Sequence, residues 1–242
     1  MERNPLRIAL MDRTFTGANV HPDCAQAAVT LGRLCADLGH AVEEATPSFD
    51  WNAYLWAVRT AGSASFAAGI SGVSRALKRE PSPDNLEPLT WLSYLEGRTL
   101  RAEDYFNALD VFASVQRTLG AFFERYDILI TPMLSQPPAD IGWLGTPGDD
   151  LDAFWRKFGG EEYSPFAGVF NVTGQPAASI PCHQTAEARP IGAQIVAPFG
   201  EEGLLFQLAA QIERARPWRE RIPTIHVSRP AATERTDERS RS

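Results

Sequence analysis

Lysine is nearly missing from this sequence: Lys78 and Lys157 are the only two, against 21 arginines. A mechanism that needs a neutral lysine as base therefore has two candidates. Cysteine is also scarce. Cys24, Cys35 and Cys182 are odd in number and far apart, which excludes a disulfide framework and a CxxC metal site and fits a reducing cytoplasm. No apolar run approaches the roughly 18 residues of a membrane helix. The N-terminal MERNPLR lacks the apolar centre of a secretory signal. GxSxG and HExxH do not occur. The turn DRTFTGANVHP has one glycine, which argues against a phosphate-cradling loop. The formal charge of −7 offers no electrostatic basis for holding nucleic acid or an anionic membrane.

What is present is enough apolar material, 44% of 242 residues, for a substantial core. RIALM (7–11) reads as a buried strand. HPDCAQAAVTLGRLCADLGH reads as a helix, with Pro22 and Asp23 in its first turn and Gly39 just past its end. Its buried stripe is Cys24, Ala27, Ala28, Leu31, Leu34, Cys35 and Leu38. HAVEEA (40–45) is a second strand, so a β-α-β unit with a parallel pair is expected. Residues 51–78 are helical in pattern, with Tyr54, Leu55, Val58, Ala61 and Ser65 on one face. A short helix over 89–96 precedes a long one from Arg101 to Arg125. The long helix carries a stripe of Tyr105, Ala108, Leu109, Phe112, Val115, Leu119 and Phe122.

DILIT (127–131) is a buried strand. Residues 132–162 are rich in proline and glycine and read as a long loop, a length that is usually functional. In FNVTGQPAASIPC (170–182), Asn171 to Pro176 read as a turn and Ala177 to Pro181 as a short strand stopped by its proline. AASIP and PIGAQIVAP form a strand pair. Gly200 to Arg216 is a final helix, and residues 227–242 read as a disordered tail beyond one unit spanning 1–226.

Most residues that carry chemistry elsewhere read here as structural. GSAS (62–65) and GISG (69–72) suit tight helix packing. Cys182 and His183 are neighbours on a strand and so point to opposite faces, which argues against a nucleophile pair. His21 is placed to cap a helix, His40 follows a helix end, and His226 is near the tail; they form no metal cluster, and no cofactor is indicated. Lys157 and Lys78 read as solvated. The aromatic residues Trp143, Phe154, Trp155, Phe158, Tyr163, Phe166 and Phe170 have two readings: a core patch under a loop, or the wall of an apolar substrate pocket.

Four segments, in order, resemble the amidase signature enzymes: LRIALMD with VHPDCAQAAVTLGRLCADLGHAVEEATP, then YDILITPM, then FNVTGQPAASIPC, then PIGAQIVAPFGEEGLLFQLAAQIERARPW. The resemblance runs from residue 6 to about 223 and looks most like the branch acting on linear and cyclic oligoamides and aryl or alkyl amides. It implies an α/β chain, a partial amidase-signature fold with a mixed β-sheet flanked by helices. The implied chemistry is hydrolysis of carboxamide C–N bonds by a Ser–cis-Ser–Lys triad, with backbone amides of a glycine-rich loop holding the oxyanion. In the family those residues precede the region matched here. This sequence contains no Gly-Gly-Ser-Ser-Gly-Gly segment, and neither lysine fits the role.

The expected contribution is therefore the substrate-pocket half, with Met133, Trp155, Phe158, Phe166 and Phe170 as substrate-binding residues and no catalytic residue of its own. A small-molecule amide is the implied ligand. The implied partners are a complementary N-terminal amidase chain or a second copy of this one, because a surface meant for another half would be exposed. The alternatives are a non-catalytic amide-binding or scaffold protein and, far behind, a cysteine hydrolase built on Cys182 and His183.

Overall fold

The computed structural model describes residues 5–143, 150–158, 160–223 and 226–227. The elements are β1 (Arg7–Leu10), α1 (Pro22–Asp37), β2 (Ala41–Glu44), α2 (Trp51–Leu77), α3 (Pro88–Thr99), α4 (Ala102–Arg125), β3 (Ile128–Pro132), α5 (Leu151–Phe158), α6 (Ala167–Thr173), β4 (Ala177–Gln184), β5 (Pro190–Val196) and α7 (Glu202–Ala215). Five strands form one sheet in the order β2-β1-β3-β5-β4. β1 pairs in parallel with β2 and β3, and β5 pairs antiparallel with β3 and β4. The fold is thus α/β with a mixed sheet flanked by helices. The expected disordered tail lies outside the described residues except for Val227.

β3 is buried along its whole length, because Ile128, Leu129 and Ile130 sit in the middle of the sheet with a strand on either side. α1 packs across β3, β5 and β4 with Cys24, Ala27, Ala28, Leu31 and Cys35 inward. Its N-terminus is closed by His21, whose Nδ1 accepts from the Asp23 backbone N–H at 3.2 Å. α2, α3 and α4 form a helical layer. α2 and α3 touch at Gly97, where a Cβ would fall 1.9 Å from the Ser63 carbonyl oxygen, so only glycine permits that approach.

The structure corrects five expectations. The long loop holds a helix, α5, over Leu151–Phe158; its eight residues gave too short a periodic signal between glycine and proline clusters. Asn171 to Thr173 are the end of α6 rather than a turn, and the turn begins only at Gly174, whose φ of 81° closes the helix in the left-handed region. β4 does not stop at Pro181 but runs on to Gln184, with a bulge between Pro181 and His183. A proline is tolerated there because β4 is an edge strand.

The buried face of α2 is Trp51, Tyr54, Ala57, Thr60, Ser63 and Ala67; of the expected stripe Tyr54 is buried, Leu55 and Val58 are partly buried against the core, and Ser65 is exposed. On α4 the expected stripe is buried at Ala108, Val115 and Leu119 but not throughout. Tyr105 and Leu109 are exposed, as is Phe106 beside them.

Candidate functional site

An aromatic cluster lies where β1 hands over to α1 and where α2 begins. Phe15 is stacked on Trp51, with ring centres 5.6 Å apart, and is tilted against Phe166 at 6.1 Å and Phe170 at 6.4 Å. Phe49 and Tyr54 close the cluster from the other side. Burial raises the Tyr54 phenol above its ordinary range, so it stays protonated.

Trp51 also faces outward. It forms one wall of a cleft of about 620 Å³ together with Leu55, Trp56 and Arg59 of α2 and Trp155 and Arg156 of α5. The walls are therefore mainly indole and aliphatic, with charge placed along them. Gly62 makes room for Trp155: a Cβ there would stand 3.3 Å from the indole. The Trp155 indole nitrogen is buried and, among the described residues, has no acceptor. An unpaired buried donor costs about 1–3 kcal/mol.

Arg59 holds the cleft together. Its Nε donates to Glu96 Oε1 at 2.8 Å, and its Nη1 donates to Asp152 Oδ1 at 2.5 Å. One guanidinium thus ties α2 to α3 and to α5, the planar, multi-donor use for which arginine is suited and lysine is not. The Ser63 hydroxyl adds a bond to Glu96 Oε2 at 2.6 Å. These carboxylates and their bonds to it keep Arg59 charged.

The substrate-binding candidates fall in three places. Trp155 lines the cleft. Phe166 and Phe170 are fully buried behind it, supporting the Trp51 wall through Phe15. Met133 is apart from both. It follows β3, its backbone N–H donates to the Gly192 carbonyl at 3.3 Å, and its side chain starts beside β5. Phe158 ends α5, and its side chain lies outside the described residues. The sequence reading did not nominate Trp51, Trp56 or the Arg59 clamp. A signal was available: residues 51, 55, 58 and 59 share a helix face at helical spacing. Leu55 and Val58 had been assigned to the core stripe instead.

The residues with nucleophile or base chemistry are occupied elsewhere. Cys182 is buried, donates its thiol proton to the Ile180 carbonyl at 3.2 Å, and is pushed up to about 11 by burial. His183 meets Asp23 Oδ1 of α1 at 3.1 Å. Each of the two is thus bonded to a partner other than its neighbour. Lys157 lies 5.1 Å over the exposed Trp143 ring, and Lys78 is exposed at the end of α2. Among the described residues no group of three His, Cys, Asp or Glu side chains is placed to hold a metal. No helix among them is long and apolar enough to cross a membrane.

Comparison with known proteins supplies the frame for this geometry. The sequence model of the Amidase family matches residues 1–206. The chain belongs to the amidase family. It is 30% identical to the 6-aminohexanoate-cyclic-dimer hydrolase of Paenarthrobacter ureafaciens over 233 residues, which is 93% of this chain and 47% of that protein. It is 34% identical to AmiC of Mycobacterium tuberculosis (strain H37Rv) over 220 residues, 88% of this chain and 44% of AmiC.

A structure of 6-aminohexanoate cyclic dimer hydrolase with its substrate superposes with a TM-score of 0.84 at 29% identity, covering 90% of this amidase-family chain and 46% of the other. A bacterial aryl acylamidase of the amidase signature family shares the fold at a TM-score of 0.71 and 18% identity, over 89% of this chain and 44% of that one. The chain thus spans less than half the length of these relatives.

Proposed function

We propose that this chain supplies the substrate-pocket half of an amidase that hydrolyses carboxamide C–N bonds, and that the Ser–cis-Ser–Lys machinery resides in another segment or chain. The observation that carries this reading is the close superposition on a substrate-bound amide hydrolase over nine-tenths of this chain but under half of the other. The site geometry supports the division of labour. Among the described residues the cleft offers apolar walls and the Arg59 clamp, while Cys182, His183 and Lys157 are engaged outside it.

In this reading Trp51, Trp56 and Trp155 exclude water and bury the apolar part of an amide. Trp155 contributes to this wall from α5. Arg59 sets the separation of α2 and α5, and hence the width of the cleft. Phe166 and Phe170 act from behind, by fixing Trp51. Met133 contacts the substrate from the sheet side, where the other half would complete the pocket. Chemistry would then proceed on the partner's serine, with this half contributing orientation and desolvation.

The test is assembly. The chain is co-expressed with the portion of the Paenarthrobacter hydrolase that it does not match, purified through a tag on one component, and assayed for hydrolysis of the cyclic dimer and of simple aryl amides. A soluble one-to-one complex with activity is expected, and Trp155→Ala should raise KM at least tenfold. Failure to obtain either complex or activity would remove the reading.

A second reading, amide binding without turnover, is favoured by the occupied state of Cys182, His183 and Lys157. Calorimetry on the chain alone separates the two, since a scaffold must bind the amide unaided.

A further inference from the structure

The cleft between α2 and α5 has an arginine on each wall. Arg59 comes from α2 and Arg156 from α5, and Asp152 of α5 lines the same cleft. The bonds of Arg59 divide into two sets. Its Nε and Nη2 both meet Glu96 Oε1, at 2.8 and 2.6 Å, and the Ser63 hydroxyl fixes the other oxygen of that carboxylate at 2.6 Å. Glu96 is on α3 and Ser63 on α2, so this set holds the guanidinium in place without α5. The second set is the single bond from Nη1 to Asp152. The Asp152 side chain is 65% exposed, against 26% for Glu96. An exposed ion pair contributes little, because water competes for both charges. The Asp152 arm is therefore the exchangeable one.

Asp152 has no second task in the fold. α5 is capped by Asp150, whose Oδ1 accepts from the Ala153 N–H at 2.7 Å. Trp155, seated beside Gly62, holds α5 against α2 by apolar contact. Arg156, one turn beyond Asp152, is exposed and makes no side-chain hydrogen bond or ion pair among the described residues. The other carboxylates of the cleft stand apart from this arrangement. Glu161 accepts from the Thr16 hydroxyl at 2.5 Å, and Glu162 lies where the cleft borders a neighbouring one. One arginine is thus held ready by its own anchor, and a second is unpaired. A mostly exposed carboxylate on a short helix fills the open side of the first. The walls beside them are indole and aliphatic. An apolar molecule ending in a carboxylate matches both features, since the guanidinium fork suits a planar anion.

We infer that Asp152 stands in for a ligand carboxylate, and that the cleft takes an apolar carboxylate which displaces Asp152 from Arg59 and is held between Arg59 and Arg156. The inference deepens the reading of this cleft as a substrate pocket and rests on it. Two molecules in amide hydrolysis have this chemistry. One is an amide substrate that carries a carboxylate away from its scissile bond; the other is the acid that cleavage releases.

The experiment titrates the full chain with hexanoate, with hexanamide, and with adipamate, the monoamide of adipic acid. Tryptophan fluorescence and calorimetry report binding. Both carboxylates should bind more tightly than hexanamide, and added salt should weaken them alone. Asp152→Asn keeps the shape of the side chain and removes the competing charge; it should tighten both carboxylates about threefold. Arg59→Gln and Arg156→Gln should each weaken them at least fivefold, with hexanamide changed less than twofold throughout. Circular dichroism and urea unfolding check each variant, and the exposed Arg156 carries the test if Arg59→Gln does not fold.

Tighter binding of adipamate than of hexanoate identifies the substrate as the source of the carboxylate, and the reverse identifies the acid product; either supports the inference. If hexanoate binds no better than hexanamide, or is unchanged by Asp152→Asn or by the arginine substitutions, the inference falls and the cleft stands as a pocket for neutral amides. If no probe binds, the inference falls as well, and assembly with the unmatched portion of the Paenarthrobacter hydrolase still decides the functional reading.

Discussion

Helices α1 and α4 carry the same kind of sequence pattern and meet different fates. Both have an apolar stripe at helical spacing. On α1 every residue from Cys24 to Cys35 in the stripe is buried or packed against the core. On α4 only Ala108, Val115, Leu119 and Phe123 are buried, while Tyr105, Phe106 and Leu109 face out. The difference is what lies opposite. α1 lies against the sheet, touching every strand; α4 packs on the helices α2 and α6. Periodicity reports which face of a helix is apolar, not whether this chain supplies the cover. Tyr105, Phe106 and Leu109 of α4 are exposed, as are Trp56, Phe66 and Leu77 of α2.

That comparison can be broken or sharpened experimentally. The largest effect is expected in the covered helix: Leu31→Ala should cost about 2–5 kcal/mol by urea unfolding, because it empties a fully enclosed site. A value below 1 kcal/mol would mean that α1 is not anchored as described. Next comes the helical layer itself. Gly97→Ala should cost about 1–3 kcal/mol by forcing α3 off α2, with the loss seen as a lower urea midpoint.

A third effect is pH-dependent and belongs to α1. Burial raises the Cys24 thiol from its ordinary 9.0 to about 11 and Cys35 to about 12. The folded state therefore favours the protonated thiols. Their contribution is complete below about pH 9 and is lost as the pH rises toward 11 and 12. The unfolding midpoint should fall over that window in the wild type and fall less in Cys35→Ala. The smallest effect is expected at the exposed residues of α4. Phe106→Ser should change stability by no more than about 0.5 kcal/mol while reducing self-association measured by light scattering. A loss of several kcal/mol there would show that the face is covered.

Much of the fold was legible in the sequence because its signals are local. Pro22 and Gly39 bracket α1, and the apolar Ile128, Leu129 and Ile130 of DILIT read as a buried strand. The aromatic candidates were legible as a group but not as a site. Phe166 and Phe170 differ from Trp155 in no local property, yet the structure puts the first two behind a wall and the third in it. The Arg59 clamp was not legible at all. Its partners Glu96 and Asp152 are 37 and 93 residues away, and a charge on a helix face looks solvated until the facing helix is in place.

The sequence by itself determined the family, the order of the five strands, and helices such as α1 that carry their own end signals. Each depends on residue identity or on spacing within one element. Only the tertiary structure decided where α5 stands, which aromatic rings reach the cleft, and that the strand read as ending at Pro181 continues as an open edge. Those outcomes depend on what packs opposite, and proline does not end a strand whose outer side has no partner to hydrogen-bond.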